Sequence, residues 1–170
     1  MNQILLTASR FRVESIERTT ADGTVRRREV VRHPGAVTIL PLVDAEHICL
    51  IRNYRVTVQR ALIELPAGTL EPNEDPAATA ERELIEETGY RAGRIEKLHE
   101  FLLSPGILDE RMHLYVASDL TAGAAAREPG EEIENLVVNW TTALEWVRRG
   151  QIEDAKTIVG LLLYQALRTG

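Results

Sequence analysis

The chain has 170 residues, of which 44% are apolar and 27% charged, and its formal net charge is −6. That length suffices for one domain with a substantial core, and residues 1–170 are read as a single unit. The acidic balance excludes general binding to nucleic-acid backbones, which needs a basic footprint; no apolar run approaches the ~18 residues of a membrane span.

The opening MNQILLTASRFRVE carries too short an apolar run for a secretion signal. FRVESIERTT and TVRRREVVRH alternate in part, with the turn signal ADG between them, so strands are expected from about residue 10 to 33. AVTILPLV and HICLIRNY are apolar and β-branched, which predicts two buried strands joined by DAE. Cys49 is the single cysteine; it reads as a core filler, and the chain can form no internal disulfide. RALIELPAG ends in a Pro and Gly break. Asp75 then reads as an N-cap and Pro76 as the first residue of a helix running to about Thr88, with Gly89 as its stop.

RIEKLHEFLL and RMHLYVASDL predict two more strands around the loop SPGILDE. TAGAAAREPGEE reads as a mobile surface loop, and IENLVVNW as a further strand. TTALEWVRRG predicts a helix with a Thr142–Glu145 capping box and Gly150 as its stop. DAKTIVGLLLYQALRTG predicts a second, capped by Asp154, with an apolar face through Ile158, Leu162 and Ala166. The sum is roughly seven or eight strands and three helices in mixed order, an α+β arrangement with helices on a mixed sheet.

The stretch RELIEETGY places three glutamates where helical spacing makes them neighbours: Glu83 and Glu87 are four apart, Glu83 and Glu86 three. Like charges so placed repel by a few tenths of a kcal/mol per pair, a cost that becomes a gain if a multivalent cation binds. Mg²⁺ wants oxygen ligands and keeps several waters, so a few carboxylates and substrate phosphates suffice. Gly68 lets the preceding loop pass close to an ion or phosphate, and Arg82, four before Glu86, can hold that carboxylate. The ordinary alternative is a solvated charged face with a surface ion pair.

Read whole, the pattern is Gly68, five residues, Glu74, seven residues, then Arg82-Glu83-Leu84-Ile85-Glu86-Glu87-Thr88-Gly89-Tyr90. This resembles the Nudix box, with Tyr90 standing where an aliphatic residue is more usual. RNYR (52–55), ELPAG (64–68), Pro105 in SPG sixteen positions after Gly89, and IEDAKTIVGLLL resemble the ADP-ribose pyrophosphatase branch. The branch usually has an aromatic and a small residue after SPG; Ile107 and Leu108 stand there here, followed by Asp109 and Glu110.

The resemblance implies a Nudix fold: a mixed β-sheet core sandwiched by helices, with an N-terminal antiparallel strand region. It implies Mg²⁺, with Mn²⁺ as a substitute, held by Glu83, Glu86, Glu87 and the backbone carbonyl of Ala67. Two or three such ions would stabilise the attacking and leaving oxygens of a diphosphate during attack by water. A loop glutamate would activate that water, Glu131 first and Glu132 second, with Glu86 or Glu110 as fallbacks; Arg82 would orient the catalytic carboxylates. Arg55, and less so Arg52, would contact the diphosphate, the other reading of Arg55 being an edge-strand surface residue. Glu64 is either structural or a substrate contact, and Pro105 and Glu110 border the substrate in relatives. His33, His47, His99 and His113 show no metal spacing.

The activity implied is hydrolysis of a nucleoside diphosphate sugar, foremost ADP-ribose to AMP and ribose 5-phosphate. The alternatives are another such substrate, GDP-mannose for instance, or a catalytically silent nucleotide-sensing module. The branch also implies a homodimer in which residues of about 1–35 reach across to the partner, although the arginine run VRRREVVR could merely solvate an edge strand; the single cysteine, which allows no internal disulfide, fits a cytoplasmic location.

Overall fold

A computed structural model describes residues 3–127 and 132–168. Ten strands and three helices are found among them. The first three strands, β1 (Gln3–Thr7), β2 (Arg12–Thr19) and β3 (Val25–Arg32), form an antiparallel sheet in that order. Its second turn closes through Thr20 N–H on the Thr24 carbonyl at 2.9 Å, with Gly23 at φ +82°.

A mixed sheet forms the centre. Strand β4 (Ala36–Pro41) runs antiparallel to β7 (Ala67–Thr69) and parallel to β9 (Arg111–Thr121), with β8 (Arg91–Leu102) at the far edge. All six residues of β4 are buried, as its unbroken apolar run requires. Its two faces feed two cores. Val37 and Ile39, with Tyr115 and Ala117 of β9, pack on Ala80 and Leu84 of helix α1 (Pro76–Thr88). Leu40 and Leu114 face the other way, as side-chain alternation along a strand demands. They meet the third sheet, β10 (Ile133–Asn139), β5 (His47–Arg55) and β6 (Arg60–Glu64), and the helices α2 (Trp140–Arg148) and α3 (Ala155–Arg168). Each fully buried Leu or Ile in these cores contributes about 1.5–3 kcal/mol.

The expected α+β sandwich is therefore present, with differences in detail. Strands β1 and β7 were not anticipated: β1 is exposed along its whole length, and β7 is three residues inside a Pro/Gly break. Asp75 stands at the N-cap of α1, but its side chain makes no capping bond; its backbone carbonyl receives Thr79 N–H at 3.0 Å instead. Helix α2 is capped by Asn139, whose side chain accepts from Thr141 N–H at 3.0 Å, rather than by a Thr142–Glu145 box. Asp154 does cap α3, accepting from Thr157 N–H and Oγ1 at 2.9 and 2.6 Å.

Residues 122–127 have no regular structure, yet they are tied down: Ala126 N–H donates to the Glu86 carbonyl at 3.1 Å. Cys49 is fully buried, which pushes its thiol up to about 12. No helix among the described residues is long and apolar enough to cross a membrane.

Candidate active site

An open cleft of about 910 Å³ lies where β7, α1 and the N-terminal sheet meet. Glu83, Glu86 and Glu87 of α1 form one wall. A side chain at position 68 would collide with the Glu83 carboxylate: a Cβ built on Gly68 falls 1.9 Å from Glu83 Cδ and Oε1. Glycine leaves that space to the carboxylate, and a larger residue would push the Glu83 side chain aside. Glu87 is 4% exposed and accepts from Ala67 N–H at 2.9 Å.

Arg82 is the hub of this wall. One side of its guanidinium grips Glu74 through Nε and Nη2, each at 3.0 Å. Its Nη1 donates to Glu83 at 2.8 Å and to Glu86 at 3.0 Å. The grip holds the Glu74 carboxyl at about 2, well below the usual 4.5, and raises Arg82 in return. Three carboxylates thus share Arg82, with Glu87 beside them. Among the described residues no three His, Cys, Asp or Glu side chains are placed to hold a metal ion together. The wall instead suits Mg²⁺, which takes one or two carboxylates and completes its shell with water and phosphate oxygens. The donor chemistry and the Gly68 cradle both fit that ion.

The second wall is a buried charge network. Glu64 is 1% exposed and accepts from Arg55 Nε and Nη2 at 2.8 and 2.5 Å and from Lys156 Nζ at 2.5 Å. Burial would raise the Glu64 carboxyl, but these two cations outweigh it and hold it below its ordinary value. Lys156 also meets Asp154 at 3.0 Å. Two edges of the Arg55 fork are thus committed to Glu64, while its side chain keeps 39% exposure on the cleft.

The third wall comes from the N-terminal sheet: the turn 7–12, Arg32, His33 and Pro34. Arg32 bridges Glu14 at 3.0 Å and Asp109 at 2.8 Å, and His33 N–H donates to Asp109 at 2.9 Å. Backbone bonds from Val31 N–H to the Ile107 carbonyl (2.8 Å) and from Asp109 N–H to the Val31 carbonyl (3.1 Å) latch the loop after β8 onto β3. Glu110 enters the cleft there, 3.7 Å from His33 Nδ1.

The structure thus gathers Ala67, Arg82, Glu83, Glu86, Glu87, Arg55 and Glu110 around one cleft. Glu64 lies immediately behind it, bonded to Arg55. Arg52 lines no part of it, being paired across the sheet with Glu134 at 2.9 Å. Pro105, in the loop between β8 and β9, does not line the cleft, and Glu132 is exposed just before β10. Glu131 lies outside the described residues. The sequence pointed to no partner for Glu74, to no role for Lys156 or the turn 7–12, and for Asp154 only to its cap. Lys156, one of two lysines and set in the acidic EDAK, was the available signal.

A glutamate-bearing helix seated over a glycine cradle, facing an arginine-rimmed cleft on an α+β sandwich, defines a hydrolase of the Nudix type. The NUDIX domain family model matches residues 32–160, and the chain belongs to that family. It is 38% identical to an ADP-ribose pyrophosphatase of Bacillus subtilis, covering 90% of this chain and 83% of the relative. It is 39% identical to a GDP-mannose pyrophosphatase of Cronobacter sakazakii (88% and 86%) and 37% identical to a methanol dehydrogenase activator of Bacillus methanolicus (94% and 88%). A crystal structure of an ADP compounds hydrolase superposes with a TM-score of 0.88 at 24% identity, over 100% of this chain and 92% of that one, a likeness of fold.

Proposed function

We propose that this protein hydrolyses the diphosphate bond of a nucleoside diphosphate sugar, ADP-ribose to AMP and ribose 5-phosphate in the first instance. The observation that carries the reading is the Glu83 carboxylate seated in the space a side chain at Gly68 would fill, beside Glu86 and Glu87. Mg²⁺ held by Glu83, Glu86, Glu87 and the Ala67 carbonyl, with Mn²⁺ able to replace it, would neutralise the diphosphate oxygens and lower the cost of charge developing at the leaving phosphate. Arg82 keeps Glu83 and Glu86 oriented towards the cleft. Arg55, anchored by Glu64, presents its remaining N–H edge to the diphosphate. Water is the nucleophile: its oxygen bonds to one phosphorus, the bridging P–O bond breaks, and a glutamate takes the proton. Glu131 is the first candidate for that base and Glu132 the second.

GDP-mannose is the second reading, favoured by the relative from Cronobacter sakazakii. A silent sensing module is disfavoured because every glutamate of the box is kept. A homodimer is supported by β1, whose Ile4, Leu5 and Leu6 are 61, 49 and 52% exposed; sedimentation would test it. The lone buried Cys49 suits a cytoplasmic location. Turnover of ADP-ribose, GDP-mannose, UDP-glucose and diadenosine polyphosphates, each with Mg²⁺ and with excess chelator, tests the whole reading. ADP-ribose should be cleaved fastest and chelator should abolish it; no turnover of any of them would overturn it.

A further inference from the structure

Helix α1 carries its three cleft glutamates in its last two turns, the end where the helix dipole is negative and where carboxylates are least welcome. The helix has no basic residue of its own in the last turn. Its four terminal carbonyls nevertheless all have partners, and three of these come from far along the chain. Gly89 N–H donates to the Ile85 carbonyl at 2.9 Å, with Gly89 at φ +80° as an ordinary left-handed cap. Ala126 N–H donates to Glu86 O at 3.1 Å. Arg127 Nε donates to Glu87 O at 3.2 Å, and Asn135 Nδ2 to Thr88 O at 2.7 Å. Arg127 Nη2 also donates to Asn135 Oδ1 at 2.8 Å, joining the two distant donors. The approach is so close that a side chain at Gly89 would meet the Gly123 carbonyl at 2.5 Å.

We infer that Arg127, locked to Asn135, is a positioning residue for the metal-binding glutamates, an inference that rests on the function proposed above. The glycine cap alone would end the helix. The added clamp grips the backbone of Glu87 and Thr88, while the neighbouring Ala126 N–H holds that of Glu86, and Arg127 brings a cation to the negative helix end. Glu87 is thereby held twice, at its carbonyl by Arg127 and at its carboxylate by Ala67 N–H. A last turn free to fray would move Glu86 and Glu87 together, and displacements near 1 Å cost about a hundredfold in rate.

The test reads Mn²⁺ binding to the metal-free protein by electron paramagnetic resonance, alongside kcat and KM on ADP-ribose and the melting temperature. Arg127→Ala should weaken Mn²⁺ binding and lower kcat, each by about tenfold, the scale of residues that orient metal ligands, with KM within about twofold. Asn135→Ala should do the same, and the double variant should be little worse than either, because both act through one clamp. Arg127→Lys, which keeps the charge and a donor, should recover most of the loss. Should Arg127→Ala not fold, Asn135→Ala and Arg127→Lys carry the same measurement. Folded variants that bind Mn²⁺ and turn over as the wild type does, while only melting earlier, would overturn the inference. A wild type that binds Mn²⁺ without cleaving ADP-ribose would sink the substrate assignment and leave the clamp standing; one that binds no Mn²⁺ would sink both.

Discussion

Two clusters of carboxylates border the same cleft, and they are built to opposite ends. Around Glu64, two cations, Arg55 and Lys156, converge on one carboxylate that is 1% exposed. Along α1, one cation, Arg82, is divided among Glu74, Glu83 and Glu86, with Glu87 alongside. The first cluster is saturated: its charge is spent inside the protein, and it ties α3 to the strand that leads into the Gly68 loop. The second shares Arg82 among several carboxylates that line the open cleft, the arrangement on which the proposed cation site rests. The position of a glutamate at the cleft therefore says less about its task than how many cations the fold has already given it.

The largest effect should come from breaking the saturated cluster. Lys156→Met should destabilise the protein by about 3 kcal/mol, the low end for removing one partner of a buried pair, because Arg55 still holds Glu64. Urea unfolding would measure it, and a loss below 1 kcal/mol would mean that Arg55 alone suffices. Next, Glu83→Gln and Glu87→Gln should each cut kcat by about a hundredfold, about 2.7 kcal/mol in the barrier, while urea midpoints stay near wild type. Equal turnover would place the cation elsewhere.

Smaller effects would show where the two clusters resemble each other. Glu74 is held near 2 in the folded chain against an ordinary 4.5. A carboxyl depressed by folding adds stability above its unfolded value and loses it as the pH falls through the folded one. Melting temperature should accordingly fall from about pH 4.5 towards pH 2, and Glu74→Gln should flatten part of that slope; an identical slope in the variant would assign the acid sensitivity to Glu64 and Asp109, whose carboxyls are also held low. Smallest of all, Glu86→Gln should leave the melting temperature of the metal-free protein unchanged or slightly raised. Its bond to Arg82 is partly exposed and worth about 0.5 kcal/mol, and removing one negative charge relieves repulsion with Glu83 and Glu87. A marked drop would make it a structural ion pair like those of Glu64.

Much of this was legible in the sequence wherever the determinants are close along the chain. The 3–4 spacing of Glu83, Glu86 and Glu87, Pro76 at the helix start and Gly89 at its end fall within one helix, and each behaves as its local rule requires. The apolar runs of β4 and β5 likewise announced buried strands. Local rules failed where a competitor stood nearby in the same segment: Asn139 outbid Thr142 for the start of α2, and three residues of β7 hid inside a Pro/Gly break because pairing with β4, rather than propensity, makes them a strand. Arg52 and Arg55 look alike in RNYR, but strand alternation sends them apart, one to Glu134 and the other to the cleft.

The sequence by itself determined the chemistry available: a helix that concentrates carboxylates on one face, a glycine where the loop must approach it, and the alternation that builds two cores around one sheet. These follow from periodicity and steric allowance over a few residues. Only the tertiary structure decided which carboxylates are buried against two cations and which line the open cleft. Lys156 reaches Glu64 across 92 positions, Arg32 reaches Asp109 across 77, and Arg127 and Asn135 reach the end of α1 across 40 and 47. No local pattern encodes such pairs, because they arise when the packing of whole elements brings groups distant in sequence within reach of each other, and for the buried pair of Lys156 and Glu64 the bond also offsets desolvation.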